Sequence, residues 1–352
     1  MKTIVLTGGG TAGHVTPNIA LLGELKKEGW NICYIGSRKG IEKQLIQEQG
    51  IPYYGIASGK LRRYLSVQNL KDPFKVIKGF LEAHRLLKKL KPKLVFSKGG
   101  YVTVPVVLAA KLLNIPVIIH ESDLTPGLAN KIASKGAKMI CVNFPETLQY
   151  VGEKGILTGT PIRKELFKGS KRKAIEYCKF TEDKPILLMM GGSLGARKLN
   201  EVLRESLEEL TKQFNIIHLC GKGNIETALK DYKGYCQLEY AKDELPHFFA
   251  AADIMFSRAG ANALAEILAL KIPSLLVPLS QKASRGDQIL NARSMEKRGY
   301  ASVLLEEDLT KESFIKEIGK LYYQKETYRK RMQQDRVSDG IEKVMIQIQK
   351  YR

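Results

Sequence analysis

Acidic residues are in deficit. Against 57 Lys and Arg the 352-residue chain sets only 36 Asp and Glu, a formal net charge of +21. Such an excess bears on partners rather than on fold, so nucleic acid, an anionic membrane surface and phosphorylated substrates all stay open. Cysteine is scarce too. Cys33, Cys141, Cys178, Cys220 and Cys236 are far apart, with no C-x-x-C pair and no histidine at metal-ligand spacing. That excludes a disulfide framework or zinc module and predicts buried thiols in a reducing compartment. No apolar run approaches the roughly 18 residues of a membrane-spanning helix, and no charged leader precedes the first strand. The expectation is a protein neither exported nor membrane-spanning. Low-complexity tracts, short repeats, Asp-x-Asp tripeptides and the signatures of helix-turn-helix, zinc or RNA-recognition modules are also missing. Nucleic-acid binding would thus rest on charge alone.

What is present is alternation. Short Val, Ile and Leu runs (TIVLT, NICYIG, PYYGI, KLVFS, PVIIH and KMICV, then PILLMM, NIIHL, YCQLE, ADIMF and PSLLVP) are separated by longer amphipathic stretches. Continuous apolar strands between helical patterns predict parallel sheets covered on both faces, an α/β architecture. The series restarts after Gly159-Thr160-Pro161-Ile162-Arg163. Two Rossmann-like domains facing a cleft are therefore expected: 1–160, and 161–334, with a polar helix from about Thr327 whose end, 335–352, crosses back to the first domain.

Two glycine loops stand where phosphate sites belong. Gly8-x-Gly10-x-x-Gly13 follows the first strand and opens a helix, as a dinucleotide fingerprint requires. An acidic residue should then end the second strand. That strand ends Gly36-Ser37-Arg38, which counts against NAD and leaves only a 2′-phosphate reading for NADP. His14 is expected in the first turn of the following helix, where the dipole keeps an imidazole neutral and able to take a proton, although it could equally just bond a neighbouring loop. The second loop, Gly191-Gly192-Ser193-Leu194-Gly195, opens a helix near Ala196 and offers backbone N–H groups with the Ser193 hydroxyl to a phosphate. Farther on, Arg258 precedes Gly260, and Glu266 lies nearly two turns into a helix, suited to a ribose diol or to plain exposure. Asp287 and Gln288 open another helix, as sugar ligands or as a cap.

Together, TGGGTAGHVTP, SKGGYVTVP, HESDLTPGLAN, TGTPIR, MGGSLGARKLN, SRAGANALAEI and SRGDQILNA resemble, in this order, the bacterial UDP-N-acetylglucosamine:lipid I N-acetylglucosaminyltransferases that make the peptidoglycan precursor lipid II. The resemblance implies a glycosyltransferase B-type fold and an inverting transfer of GlcNAc from UDP-GlcNAc to the MurNAc 4-hydroxyl of undecaprenyl-linked lipid I, with no tightly bound metal. It assigns the donor to Thr11, Ala12, Gly13, Arg163, Gly192, Ser193, Ala241, Arg258, Gly260, Glu266, Asp287 and Gln288. It assigns the acceptor to Gly10, Gly13, His14, Gly99, Gly100, Tyr101 and Asp123, and puts His120, Glu121 and Asp123 at the cleft. Some relatives carry Asn at position 123, Gln at 287 and Ser at 259, where this chain has Asp123, Asp287 and Ala259.

Transfer needs a base for the acceptor hydroxyl and a sink for charge on the leaving β-phosphate. His14 is the candidate base, with Glu121 and Asp123 as runners-up. The helix start at Ser193, with Arg163 and Arg258, is the candidate sink. Finally, Lys60–Lys93 holds eleven basic residues against two acidic ones. Within it Leu70, Phe74 and Ile77 share a helical face interleaved with Lys71, Lys75 and Lys78, either packed into the core or meeting an anionic membrane from its cytoplasmic side, as a peripheral protein. Other cell-wall synthesis proteins are further candidate partners.

Overall fold

The computed structural model describes residues 2–59, 68–181, 183–192, 195–281, 286–335 and 339–351, without the side chains of 68–73. The chain forms two compact units, Met1–Arg163 with Asp339–Arg352, and Lys164–Ser338.

The first unit is built on seven parallel strands: Thr3–Thr7 (β1), Asn31–Ser37 (β2), Tyr53–Ile56 (β3), Leu94–Ser97 (β4), Val117–Glu121 (β5), Met139–Val142 (β6) and Gly155–Leu157 (β7). Their order across the sheet is 3-2-1-4-5-6-7. Side chains alternate between faces with period two, and both faces are covered. Ile4 and Leu6 point with Ile32, Tyr34 and Phe96 toward the helix Thr16–Lys27. Val5 points the other way with Cys33, Ile35 and Val95, toward the helices Gln68–Leu90 and Thr103–Leu112. Strand β7 escaped the sequence reading because its three residues are only half-buried at the sheet's edge.

The expected polar C-terminal helix is in fact two. Lys325–Gln333 belongs to the second unit, whereas Gly340–Gln349 returns to the first. The latter is amphipathic rather than polar. Ile341, Val344, Met345 and Ile348 recur at helical spacing and are buried against Leu21, Leu22 and Leu25. At about 1.5–3 kcal/mol for each buried apolar side chain, that stripe ties the chain's end to the first unit.

The second unit repeats the plan with Ile186–Met190 (β8), Asn215–Leu219 (β9), Tyr235–Leu238 (β10), Ile254–Ser257 (β11), Ser274–Leu276 (β12) and Ala301–Val303 (β13), in the order 10-9-8-11-12-13. β13 is the second unforeseen strand, again three residues at an edge. In each unit the connections diverge once, between β1 and β4 where Thr7 pairs with Ser97, and between β8 and β11 where Met190 pairs with Ser257. Ligands of such sheets bind beyond the carboxyl ends of the strands at that switch point. All four strands there run directly into the segments singled out by the sequence.

Candidate functional site

At the first unit's switch point, Gly8–Gly13 leaves β1 and Lys98–Tyr101 leaves β4. The two loops touch: the Gly9 N–H donates to the Gly99 carbonyl at 3.3 Å. Gly100, with φ +91°, has space for no side chain, since a Cβ would stand 2.1 Å from the Gly9 carbonyl oxygen. Gly10 (φ +90°) is similarly crowded by the Tyr101 ring.

His14 lies not in a helix but in a short 3₁₀ turn, Ala12–His14, ahead of the helix that begins at Thr16. Its Nδ1 is 3.0 Å from the Gly9 carbonyl oxygen, with the Thr11 hydroxyl at 3.4 Å. A carbonyl only accepts, so Nδ1 carries the proton and Nε2 holds the lone pair in the neutral ring. Burial, and then the positive charge of Lys98, hold the imidazole below its ordinary pKa, outweighing the Gly9 bond and the charges of Asp123 and Glu42. Neutrality was expected at this residue, but the cause differs from the expected helix dipole.

Gly10 does not offer its N–H outward. That group donates to Glu42 Oε2 at 3.2 Å, while Glu42 Oε1 accepts from the Ser37 N–H at 3.0 Å and the Ser37 hydroxyl at 2.5 Å. Glu42 is fully buried. An acidic residue does therefore serve the end of β2, but it is spent on the loop itself. The sequence passed it over because it lies beyond the strand, in the helix Ile41–Gln47.

His120, expected at a cleft, is enclosed. Its Nε2 donates to the Gly159 carbonyl at 2.9 Å, its Nδ1 is buried without a partner among the described residues, and burial, followed by the Lys98 charge, holds its pKa well down. Glu121 accepts from the N–H groups of Asp123 and Gly127, each at 3.0 Å, and from Asn130 Nδ2 at 2.9 Å. Burial, and next the Asp123 charge, raise its pKa despite those bonds. Its oxygens order the loop 123–127, and Asp123 is half-buried within it. Between these groups stands a residue the sequence reading missed. Lys98, 1% exposed, donates from Nζ to the Ser122 hydroxyl. Its only sequence signal is its place at the carboxyl end of a switch-point strand.

At the second unit's switch point, Gly192 (φ +95°) follows β8, and the Gly195 N–H closes the loop onto the Gly192 carbonyl at 2.9 Å. Ser193 lies outside the described residues. The helix beyond starts at Arg197, as expected. Gly260 caps the helix Ala261–Leu270, which carries half-buried Glu266 in its second turn. Arg258 is not poised as a lone cation. Its guanidinium donates to the carbonyls of Val277 (3.2 Å) and Pro278 (3.3 Å) and forms an ion pair with Glu306. Burial pushes the Glu306 carboxyl up, but the bond to Arg258 and its charge outweigh that and hold it below the ordinary value. Gln288, in the helix Asp287–Lys297, uses Oε1 to accept from the Leu279 N–H at 3.1 Å. Ala241 lies half-buried in the loop after β10, and Arg163 closes the first unit's main segment.

The basic helix Gln68–Leu90 presents two faces. Ala83 and Leu87 are buried, but Phe74, Ile77 and Leu81 are 75%, 58% and 49% exposed, beside exposed Lys75 and Lys78. Core packing is thus excluded for Phe74 and Ile77. The side chains of Leu70 and Lys71 lie outside the described residues. Among the described residues no helix is long and apolar enough to cross a membrane.

A sequence model of the glycosyltransferase family 28 N-terminal domain matches residues 4–142, and one of the family 28 C-terminal domain matches 186–344. The UDP-N-acetylglucosamine--N-acetylmuramyl-(pentapeptide) pyrophosphoryl-undecaprenol N-acetylglucosamine transferase of Clostridium tetani is 57% identical over 351 residues, covering 99% of this chain and 98% of that protein. Its namesake from Lachnoclostridium phytofermentans is 56% identical over 353 residues, 100% and 99% of the two chains. Among solved structures, Acinetobacter baumannii MurG superposes with a TM-score of 0.79 at 30% identity, over 99% of this chain and 100% of that one. The UDP-GlcNAc 2-epimerase of Neisseria meningitidis reaches 0.69 at 15% identity over 99% and 100%, a likeness of fold alone.

Proposed function

The chain belongs to glycosyltransferase family 28, and from that premise we propose that it moves GlcNAc from UDP-GlcNAc to the 4-hydroxyl of MurNAc in lipid I, yielding lipid II and UDP. The observation that carries the reading is identity of more than half over essentially the full length of transferases bearing that name.

The geometry supports this reading. Attack on the anomeric carbon requires the acceptor hydroxyl to lose its proton, and His14 is neutral with Nε2 as its accepting nitrogen. Fixing Nδ1–H on the Gly9 carbonyl sets the tautomer in advance. Glu121 is less suited to the role, because three hydrogen bonds occupy its oxygens. On the donor side, the loop Gly191–Gly195 and the helix starting at Arg197 favour the negative charge that builds on the departing diphosphate. Glu266 and Gln288 lie on helices at the same end of the second sheet, and we assign them the ribose and sugar hydroxyls. Arg258 contributes from within its pair with Glu306, by holding the loop 277–280 as well as by charge.

The exposed apolar residues of the basic helix support a peripheral location on the cytoplasmic face of an anionic membrane, where each lysine near the lipid contributes about 1 kcal/mol. Transfer from radiolabelled UDP-GlcNAc to a short-chain lipid I analogue tests the reaction, with UDP-GalNAc and NADPH as controls. Product from UDP-GlcNAc alone is expected. Donor binding without transfer would defeat the acceptor assignment, and NADPH binding in its place would defeat the whole reading.

A further inference from the structure

Lys98 is out of keeping with its surroundings. A lysine ammonium is among the least favourable groups to bury, yet this one is 1% exposed at the end of β4, and its hydrogen-bonding partner among the described residues is a single hydroxyl, that of Ser122. Carboxylates lie nearby without chelating it: Glu121 is committed to the Asp123, Gly127 and Asn130 donors. Ser122 sits between Glu121 and Asp123, so the tether fixes the ammonium beneath the loop that carries the acceptor-side groups.

The charged and titratable groups around this centre come from separate elements. The loop after β4 packs against the His14 ring: the Gly9 carbonyl that meets His14 Nδ1 belongs to the residue whose N–H bonds the Gly99 carbonyl, next to Lys98, and a Cβ on Gly100 would stand 3.1 Å from that nitrogen. The charges that act on the ring are those of Lys98 from the end of β4, Asp123 from the loop after β5 and Glu42 from the helix Ile41–Gln47, with the Thr11 hydroxyl from its own loop. Lys98 in turn is influenced by Glu121, Asp123 and Cys141, and its charge also reaches His120. Of the cations, Lys98 is the one that opposes protonation of His14, and two carboxylates favour it.

We infer that Lys98 is a positioning residue for the transfer: its buried, Ser122-tethered ammonium adds to burial in keeping the His14 imidazole in the proton-accepting form while the acceptor is bound and deprotonated. This role rests on His14 as the base. Burial holds the Lys98 ammonium itself down to about 8, with Glu121 and then Asp123 opposing, so the charge is in place at neutral pH. It fades in alkaline solution, where His14 is neutral without help.

The decisive measurement is the titration of the His14 imidazole by NMR in the full chain, assigned by loss of its signal in His14→Ala. Lys98→Gln keeps a hydrogen-bonding group for Ser122 and removes the charge, Lys98→Met removes both, and Lys98→Arg keeps the charge. The pKa of His14 is expected to rise by half a unit or more in the Gln and Met variants and to stay near wild type in the Arg variant. An unchanged His14 titration in a folded Gln or Met variant overturns the inference. If only Lys98→Arg folds, a His14 pKa raised as far as the neutral variants were expected to raise it would do the same. Kinetics separate this from the base assignment: with His14 as base, the acid limb of kcat/KM follows the NMR shift, so at pH values below that limb the deficit approaches about threefold per half unit while KM for UDP-GlcNAc holds. A shifted titration with an unshifted acid limb keeps the electrostatic coupling and removes its catalytic role. A uniform loss of kcat across pH, with no change in the titration, is the mark of a structural residue.

Discussion

His14 Nδ1 stands 3.0 Å from the carbonyl oxygen of Gly9, in the loop from which the histidine itself emerges. That bond decides which nitrogen is available, because a ring donating from Nδ1 can accept a proton only at Nε2. Replacing His14 with Ala is expected to lower kcat by about 10²- to 10⁴-fold, the range of general-base catalysis. Affinity for UDP-GlcNAc should hold. In the wild type, kcat/KM should rise with pH through an acid limb centred below 6.5, since burial and Lys98 depress the imidazole pKa. A limb centred above 6.5, or near-normal turnover without the ring, would remove His14 from the chemistry.

Glu42 makes a second testable joint. Its carboxylate accepts three hydrogen bonds from Gly10 and Ser37, and glutamine can offer only one accepting oxygen. In Glu42→Gln the amide group must therefore face at least one N–H or O–H donor in a fully buried site. The expected cost is about 1–3 kcal/mol of stability, with slackening of the loop that holds His14. Denaturant melts should show the loss and assays should show reduced kcat, whereas UDP-GlcNAc binding, assigned mainly to the other unit with only Thr11, Ala12 and Gly13 from this loop, should weaken less than kcat falls. Wild-type stability and rate would mean that the clamp is ornamental.

The pair Arg258–Glu306 predicts an asymmetry between folding and binding. Removing one partner of a buried ion pair leaves the other charge uncompensated, at about 3–5 kcal/mol, while replacing both with apolar groups is often neutral. Arg258→Met should accordingly lower Tm strongly, and Arg258→Met with Glu306→Met should recover the share due to the uncompensated charge, but not the bonds to Val277, Pro278 and Ser280. If Arg258 also attracts the diphosphate, the double variant will remain weak for UDP-GlcNAc despite its partly restored Tm, as calorimetry can read. Recovery of both would reduce Arg258 to a structural residue.

How much of this was legible beforehand depended on which signal each residue sends. Eleven strands announce themselves because parallel strands covered on both faces are continuous apolar runs. β7 and β13 do not, since three edge residues, all half-buried in β7 and two of them half-buried in β13, make no pattern. The glycine loops were legible because positive φ and close approach, as at Gly100, demand glycine itself. Glu42, Lys98 and Glu306 were not. A charged side chain in a sequence reads as solvated surface, and only tertiary structure shows that these three are turned inward against Gly10, Ser122 and Arg258. The same blindness made the terminal helix look polar, its four buried apolar residues being diluted by Glu342, Lys343, Gln347 and Gln349.

Buried titratable groups also shape stability against pH. His14, His120 and His218 all have folded-state values below the ordinary 6.5, chiefly through burial, with His218 down at about 3. The unfolded chain takes up protons first, so stability should fall as pH drops below about 6.5. Lys98 acts at the other end. Its value is lowered to about 8 from 10.5, so the unfolded chain holds its proton longer and this residue's contribution should improve between pH 8 and 10.5. Denaturant unfolding of Lys98→Met against wild type at pH 7 and pH 10 tests this. Relative to wild type the variant should be less stable at pH 10 than at pH 7, whatever the sign of the difference at pH 7, and a constant difference would mean that the ammonium is solvated after all.

The membrane assignment divides into two forces that respond differently to salt. Phe74 and Ile77 can each bury apolar surface in the lipid interface, while Lys75 and Lys78 act through a field that fades over about 10 Å in 0.1 M salt and about 3 Å in 1 M. Phe74→Ser with Ile77→Ser should weaken partition onto anionic vesicles by roughly tenfold or more per side chain, at about 1.5–3 kcal/mol each, in low and high salt alike. Charge removal, as Lys75→Gln with Lys78→Gln, should cost several-fold at low salt and almost nothing at 1 M, and neither pair should alter turnover on a short-chain soluble acceptor, because none of the four side chains belongs to the switch-point loops. Co-sedimentation at two salt concentrations separates the contributions. If neither pair changes binding, the exposed face of this helix has some partner other than lipid, and the enzyme must reach its membrane-embedded acceptor by another surface.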